Sequence, residues 1–212
     1  MSRFLLRRQK IQIQREDTAF DAYIIGKENA PAIVVVPEFW GVYFEVKNHA
    51  QKIASLAPGY RALIPDLYRG KVGLDVAEAQ HLMESLDWPS AVKDIDASLN
   101  WLKSNGSSKF LKLMLWLGFY GAPSAELVDA TKANAPVQAH FGELDSLTAK
   151  QLEEKLESSG VPNEVNIYAG VGHAFLNVSP EGKQMRKNMG MNDDDPAAVE
   201  LAWWKASALP TK

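Results

Sequence analysis

Three side chains in this chain have the types and surroundings that acyl-transfer chemistry uses: Glu38, Asp145 and His173. Histidine is the residue that takes a hydroxyl or thiol proton near neutrality. An aspartate holding the Nδ1–H of the ring fixes the tautomer able to do so. Such chemistry runs through an activated serine or cysteine, and neither is placed for it. The chain has no cysteine, and no two of its 14 glycines are four residues apart, so neither G-x-S-x-G nor G-x-C-x-G occurs. The strand-to-helix elbow that exposes a nucleophile therefore has no sequence here.

Each candidate also has an ordinary reading. His173, in Ala169 to Phe175 (AGVGHAF), is a base in a turn open enough for substrate, or a structural loop histidine. Asp145 is the partner of that histidine or the cap of a helix starting near Thr148, and the two roles are compatible. Glu38, beside Phe39 and Trp40, is a site carboxylate or an exposed glutamate at a helix entry; Trp40 is pocket wall or core. Tyr120 is a candidate pocket residue but a poor nucleophile, since a phenol stays protonated near neutrality. Ser146 is the best-placed hydroxyl, whereas Ser107 and Ser108 fall at the wrong end of the expected strand. His49, His81 and His140 lack metal-ligand spacing and read as helix-surface or strand residues. With no thiolate and no phosphate-cradling glycine loop, no metal and no cofactor is expected.

The elements that must position these residues alternate. Residues 10 to 25 alternate polar and apolar around Glu16 to Thr18, a β-hairpin. Ala32 to Val36 is a continuous β-branched run, the pattern of a strand buried on both faces. Ala62 to Pro65 is a second such strand. Val46, Ala50, Ile53 and Ala57 recur at helical spacing between them, closed by Pro58 and Gly59, which makes a βαβ unit. A helix from Pro89 to Asn105, a strand at Val137 to Phe141, a helix at Thr148 to Ser159 and a strand at Val165 to Tyr168 follow. A final helix runs from Pro196 to Leu209, with Asp195 as its N-cap. Glu181 to Asp195 reads as a solvated loop or lid. Strands alternating with helices imply an α/β fold: a three-layer sandwich around a mostly parallel sheet.

At 212 residues, 46% hydrophobic and 23% charged, one domain spanning 1–212 is expected. A net charge of −3 offers no broad basic surface, which argues against nucleic acid as partner. No apolar run approaches the roughly 18 residues that span a bilayer. The early arginines lack a signal-peptide core behind them, and a cytoplasmic location is expected.

Five segments, in order, resemble the dienelactone hydrolase family: Ile33 to Gly41 (IVVVPEFWG), Leu63 to Arg69 (LIPDLYR), Phe119 to Gly121 (FYG), His140 to Asp145 (HFGELD) and Gly172 to Phe175 (GHAF). The resemblance implies an α/β-hydrolase-like fold acting on a small-molecule ester, lactone or other carbonyl compound. It places Asp145 and His173 at the triad positions and Glu38 at that of the glutamate contacting the resting nucleophile. The Phe39 N–H would be an oxyanion-hole donor, with Trp40 and Tyr120 near the substrate. It also implies a departure. The family's central strand, elbow and helix need roughly 30 residues, and only 13 positions separate Gly106 from Phe119. The central strand–elbow–helix unit is lacking, and Phe110 to Leu117 remains as a single apolar run. Asn177 stands where lactone-cleaving members carry an arginine. A weakly active or inactive hydrolase is expected, a shortened product of a longer active form being one origin; the alternative is a non-catalytic small-molecule- or protein-binding relative. A monomer or weak homo-oligomer is expected, association being favoured by apolar surface uncovered by the lost unit.

Overall fold

The computed structural model describes residues 8–106, 117–119, 133, 136–191 and 195–207. The chain packs as two compact units, Met1–Leu111 and Lys112–Lys212.

The first unit holds a four-stranded sheet in the order β1-β2-β4-β3. Strands β1 (Arg8–Gln14) and β2 (Ala19–Ile25) form the hairpin read from the alternating residues. Its turn closes through the Arg15 N–H on the Thr18 carbonyl at 2.8 Å. Strand β4 (Arg61–Pro65) is antiparallel to β2 and parallel to β3 (Ala32–Val34). Helix α1 (Phe44–Ser55) connects β3 to β4, completing the expected βαβ unit. All five residues of β4 are buried, as the apolar run required. β3 departs from expectation. It stops at Val34, Ile33 and Val34 are half-buried, and Val36 is 49% exposed. Among the described residues β3 pairs with β4 alone and ends the sheet, so a β-branched run does not by itself ensure cover on both faces.

Helix α2 (Val76–Glu84) was not legible as periodicity and buries only Ala79 and Leu82. It is nevertheless well capped: the Asp75 carboxylate accepts from the Glu78 N–H. Helix α3 (Trp88–Ser104) begins with Asp87 as cap and Pro89 in its first turn. Its Leu102 joins Ile13, Phe20, Ile24 and Leu63 in one apolar cluster, with Trp101 packed against it.

The second unit holds a parallel sheet in the order β5-β6-β7, formed by β5 (Leu117–Phe119), β6 (Val137–Gly142) and β7 (Asn163–Tyr168). Helix α4 (Ser146–Ser158) packs Ala149, Leu152 and Leu156 on Val137, Ala139 and Phe141 of β6. The alternate residues of β6, Gln138 and His140, are as deeply buried but polar. Where a solvated loop was expected within 181–195, residues Pro180–Asn188 form helix α5. Ser179 caps it and Pro180 occupies its first turn. The segment buries only Gly182 and Arg186, so it has no apolar stripe by which periodicity could find it. Helix α6 (Pro196–Ser207) starts as expected, with the Asp195 carboxylate accepting from the Ala197 N–H at 2.9 Å. The run Phe110 to Leu117 lies outside the described residues except for Leu117, which begins β5.

Candidate active site

β6 and β7 run parallel, with Gly142 opposite Tyr168, so their carboxyl ends release two loops side by side. Ligands of open α/β sheets collect at such ends. After β6 the chain makes one 3₁₀ turn, Glu143–Asp145, and enters α4. After β7 it passes through Gly170 and Gly172 to His173, which lies in a turn. The imidazole Nδ1 and the Asp145 Oδ2 are 3.0 Å apart. Both groups are partly exposed, 44% for the histidine side chain and 23% for the aspartate. A neutral ring donating through Nδ1 carries its basic lone pair on Nε2, the arrangement of a general base held by a carboxylate.

The competing account of Asp145 is decided by where its oxygens go. It is the N-cap residue of α4 by position, yet its side chain makes no capping hydrogen bond. The carboxylate turns to the histidine instead.

The backbone allows the two loops to meet. A Cβ on Gly142 would lie 2.6 Å from the Val171 carbonyl oxygen and closer still to that of Gly172, so only glycine lets the second loop press on the end of β6. Gly170 has φ +74°, in the left-handed region. Ala174, directly after the histidine, has φ +58°, a conformation that a side chain adopts at a cost of order 1 kcal/mol. The burial of Phe175 and Leu176 just beyond it anchors the turn. Asn177, just beyond them, is buried as well.

Glu38 belongs to the first unit. It follows β3 in a turn closed by the Gly41 N–H on its own carbonyl at 2.9 Å. Gly41 has φ +81°, and a Cβ there would strike the Tyr68 ring at 2.8 Å. The Tyr43 hydroxyl donates to Glu38 Oε1 at 2.6 Å. Glu38 is thus half-buried rather than exposed. Phe39 is half-buried, with its ring 5.2 Å from that of Trp40, which is 6% exposed. The Gly73 N–H donates to the Trp40 carbonyl, and the Tyr68 hydroxyl to that of Phe39. The structure therefore joins Asp145 to His173 in the second unit and Glu38 to Tyr43 in the first. Tyr120 lies outside the described residues, as do Ser107 and Ser108. Among the described residues no cluster of three or more histidine, aspartate or glutamate side chains is arranged to hold a metal. Nor is any described helix long and apolar enough to cross a membrane.

Sequence reasoning missed Tyr43 and placed His140 without its partners. His140 Nδ1 meets the Tyr168 hydroxyl at 2.8 Å and Nε2 meets Gln138 Oε1 at 3.2 Å. Gln138 in turn donates to Glu164 at 2.8 Å. Burial holds the His140 ring neutral, with its pKa lowered to about 4, and pushes the Tyr168 phenol up.

Two parallel strand ends that deliver an aspartate and a histidine to one another are a feature of the α/β-hydrolase fold, and solved structures agree. The chain superposes with a TM-score of 0.74 on a dienelactone hydrolase-like promiscuous phosphotriesterase from metagenomic libraries, at 18% identity over 97% of each chain. It superposes with a TM-score of 0.64 on a dienelactone hydrolase from Anabaena variabilis, at 15% identity over 96% of each chain. The chain belongs to the dienelactone hydrolase family, whose model matches residues 20–116 and 108–209. Among curated relatives it is 25% identical to Protein usf of Aquifex pyrophilus, over 92% of this chain and 94% of that protein.

Proposed function

We propose that this chain, acting as one cytoplasmic domain, descends from ester and lactone hydrolases of small molecules and keeps their proton-handling residues without their nucleophile. The observation that carries this is the 3.0 Å pairing of His173 with Asp145 in a chain whose sequence holds no G-x-S-x-G or G-x-C-x-G. In this reading His173 is the base and Asp145 its orienting partner. Glu38 is the site carboxylate, and Phe39, Trp40 and Tyr120 contact substrate. The family match in two pieces that meet at 108–116 supports the loss of a central unit there.

Removing the nucleophile from a Ser-His-Asp site lowers turnover by about 10⁶, while binding and oxyanion stabilisation keep roughly 10³ to 10⁴ over water. The expected result with an activated aryl ester is hydrolysis near background, unaltered in His173→Ala. Robust turnover by the full chain that disappears in His173→Ala would overturn this reading. The missing nucleophile equally favours a second reading, capture of a small carbonyl compound or a partner protein without turnover. A rise in Tm with a non-hydrolysable ester analogue, and no product from the matching ester, is the result expected of it.

A further inference from the structure

The contact between His173 and Asp145 joins side chains from two separate loops, and a hydrogen bond between partly exposed groups is a weak way to hold loops in register. A second connection lies beside it. The Gly170 N–H donates to Glu143 Oε2 at 2.8 Å. Glu143 opens the 3₁₀ turn that ends in Asp145, and Gly170 opens the run of small residues that leads to His173. The glutamate side chain thus bridges the turn bearing the acid to the loop bearing the base. A carboxylate accepting from a backbone N–H is among the stronger hydrogen bonds. Gly170 adopts φ +74°, so this bond also secures a left-handed residue in the approach to the histidine. Gly142 supplies the close backbone approach on the strand side of the same junction.

We propose that Glu143 is a positioning residue: its carboxylate fastens the Gly170 amide and thereby sets the His173 imidazole against Asp145. The proposal rests on the pairing described above being the working arrangement of the site. It gives Glu143 no contact with substrate and no proton to transfer. Because Glu143 is exposed, its replacement leaves the buried sheet intact.

The test uses the full chain and the nitrogen-detected NMR signature of the His173 ring, read as the protected Nδ1–H resonance and the tautomer. Glu143→Ala is expected to lose the protected Nδ1–H signal and mix the tautomers, whereas Glu143→Gln, which keeps an oxygen acceptor for Gly170, restores both. Asp145→Ala, which removes the acceptor altogether, serves as the reference and is expected to abolish the signature whatever occupies position 143. A wild-type signature in Glu143→Ala, with the signature lost in Asp145→Ala, overturns the positioning role and leaves the pair intact. A signature unchanged in Asp145→Ala overturns the pairing itself, and with it the proposal. Failure of Glu143→Gln to restore what Glu143→Ala removes also counts against the role.

Discussion

One buried polar cluster in each unit shows a different solution. In the first, charge meets charge: Asp94, 1% exposed, lies 3.1 Å from Arg15 Nη1 and 2.7 Å from Arg69 Nη1. The Arg69 contact is ionic attraction without the alignment of a directed hydrogen bond. The second unit uses a neutral ladder, from Tyr168 through His140 and Gln138 to Glu164, across the polar face of β6 and β7. Glu164, at the edge of that ladder, also receives Lys205 at 3.3 Å. A charge network holds only while both signs are present, whereas a neutral ladder holds only while its histidine stays unprotonated. The two units should therefore respond to different insults.

Breaking the charge network has the largest expected effect. Arg15→Ala combined with Arg69→Ala leaves the buried Asp94 carboxylate without either counter-ion. The loss of one partner from a buried pair lowers stability by about 3 kcal/mol or more, which urea titration of the variant would measure. Retention of wild-type stability would mean that Asp94 is solvated on opening and contributes little.

The neutral ladder is sharpened by acid. His140 titrates near 4 when folded, below the ordinary histidine value of 6.5, because burial disfavours the imidazolium. The unfolded chain therefore binds the proton first. Stability is full above pH 6.5, falls as pH drops towards 4, and levels off below that, by about 3 kcal/mol in all. In the first unit, burial lifts the Asp66 carboxyl above its ordinary range. Asp66 works with the opposite sign, favouring the folded form as acid is added. Amide protection measured between pH 7 and pH 4.5 should decline in β6 and β7 more steeply than in β4. Equal decline in both sheets would remove the contrast.

The smallest expected effect concerns the Glu38 region. Tyr43→Phe deletes the hydroxyl that meets Glu38 Oε1 and should lower stability by about 1 kcal/mol, seen as a modest fall in Tm. No change would mean that the carboxylate recovers an equivalent partner.

What could be read from residues alone follows the same division. The Asp145–His173 pairing was legible through the family resemblance, since residue patterns alone placed each after a strand end and left each with a structural reading. The use of the Asp145 carboxylate was not, since capping and orienting place the same residue at the same position. Helix α5 escaped because it has no apolar face, and β3 was over-read because a β-branched run looks alike whether or not its residues end up buried. Tyr43 and Glu143 carry no local signal: one meets an acid five residues away, the other an amide 27 residues away.

The unfilled cap on α4 has an evolutionary corollary. Any drift that lets Asp145 fold back over its own helix would reward the protein with rigidity and strip the imidazole of its anchor in a single step. Thermostability selection and retention of the Asp145–His173 contact therefore pull one side chain in two directions, and laboratory evolution under heat alone should release the histidine.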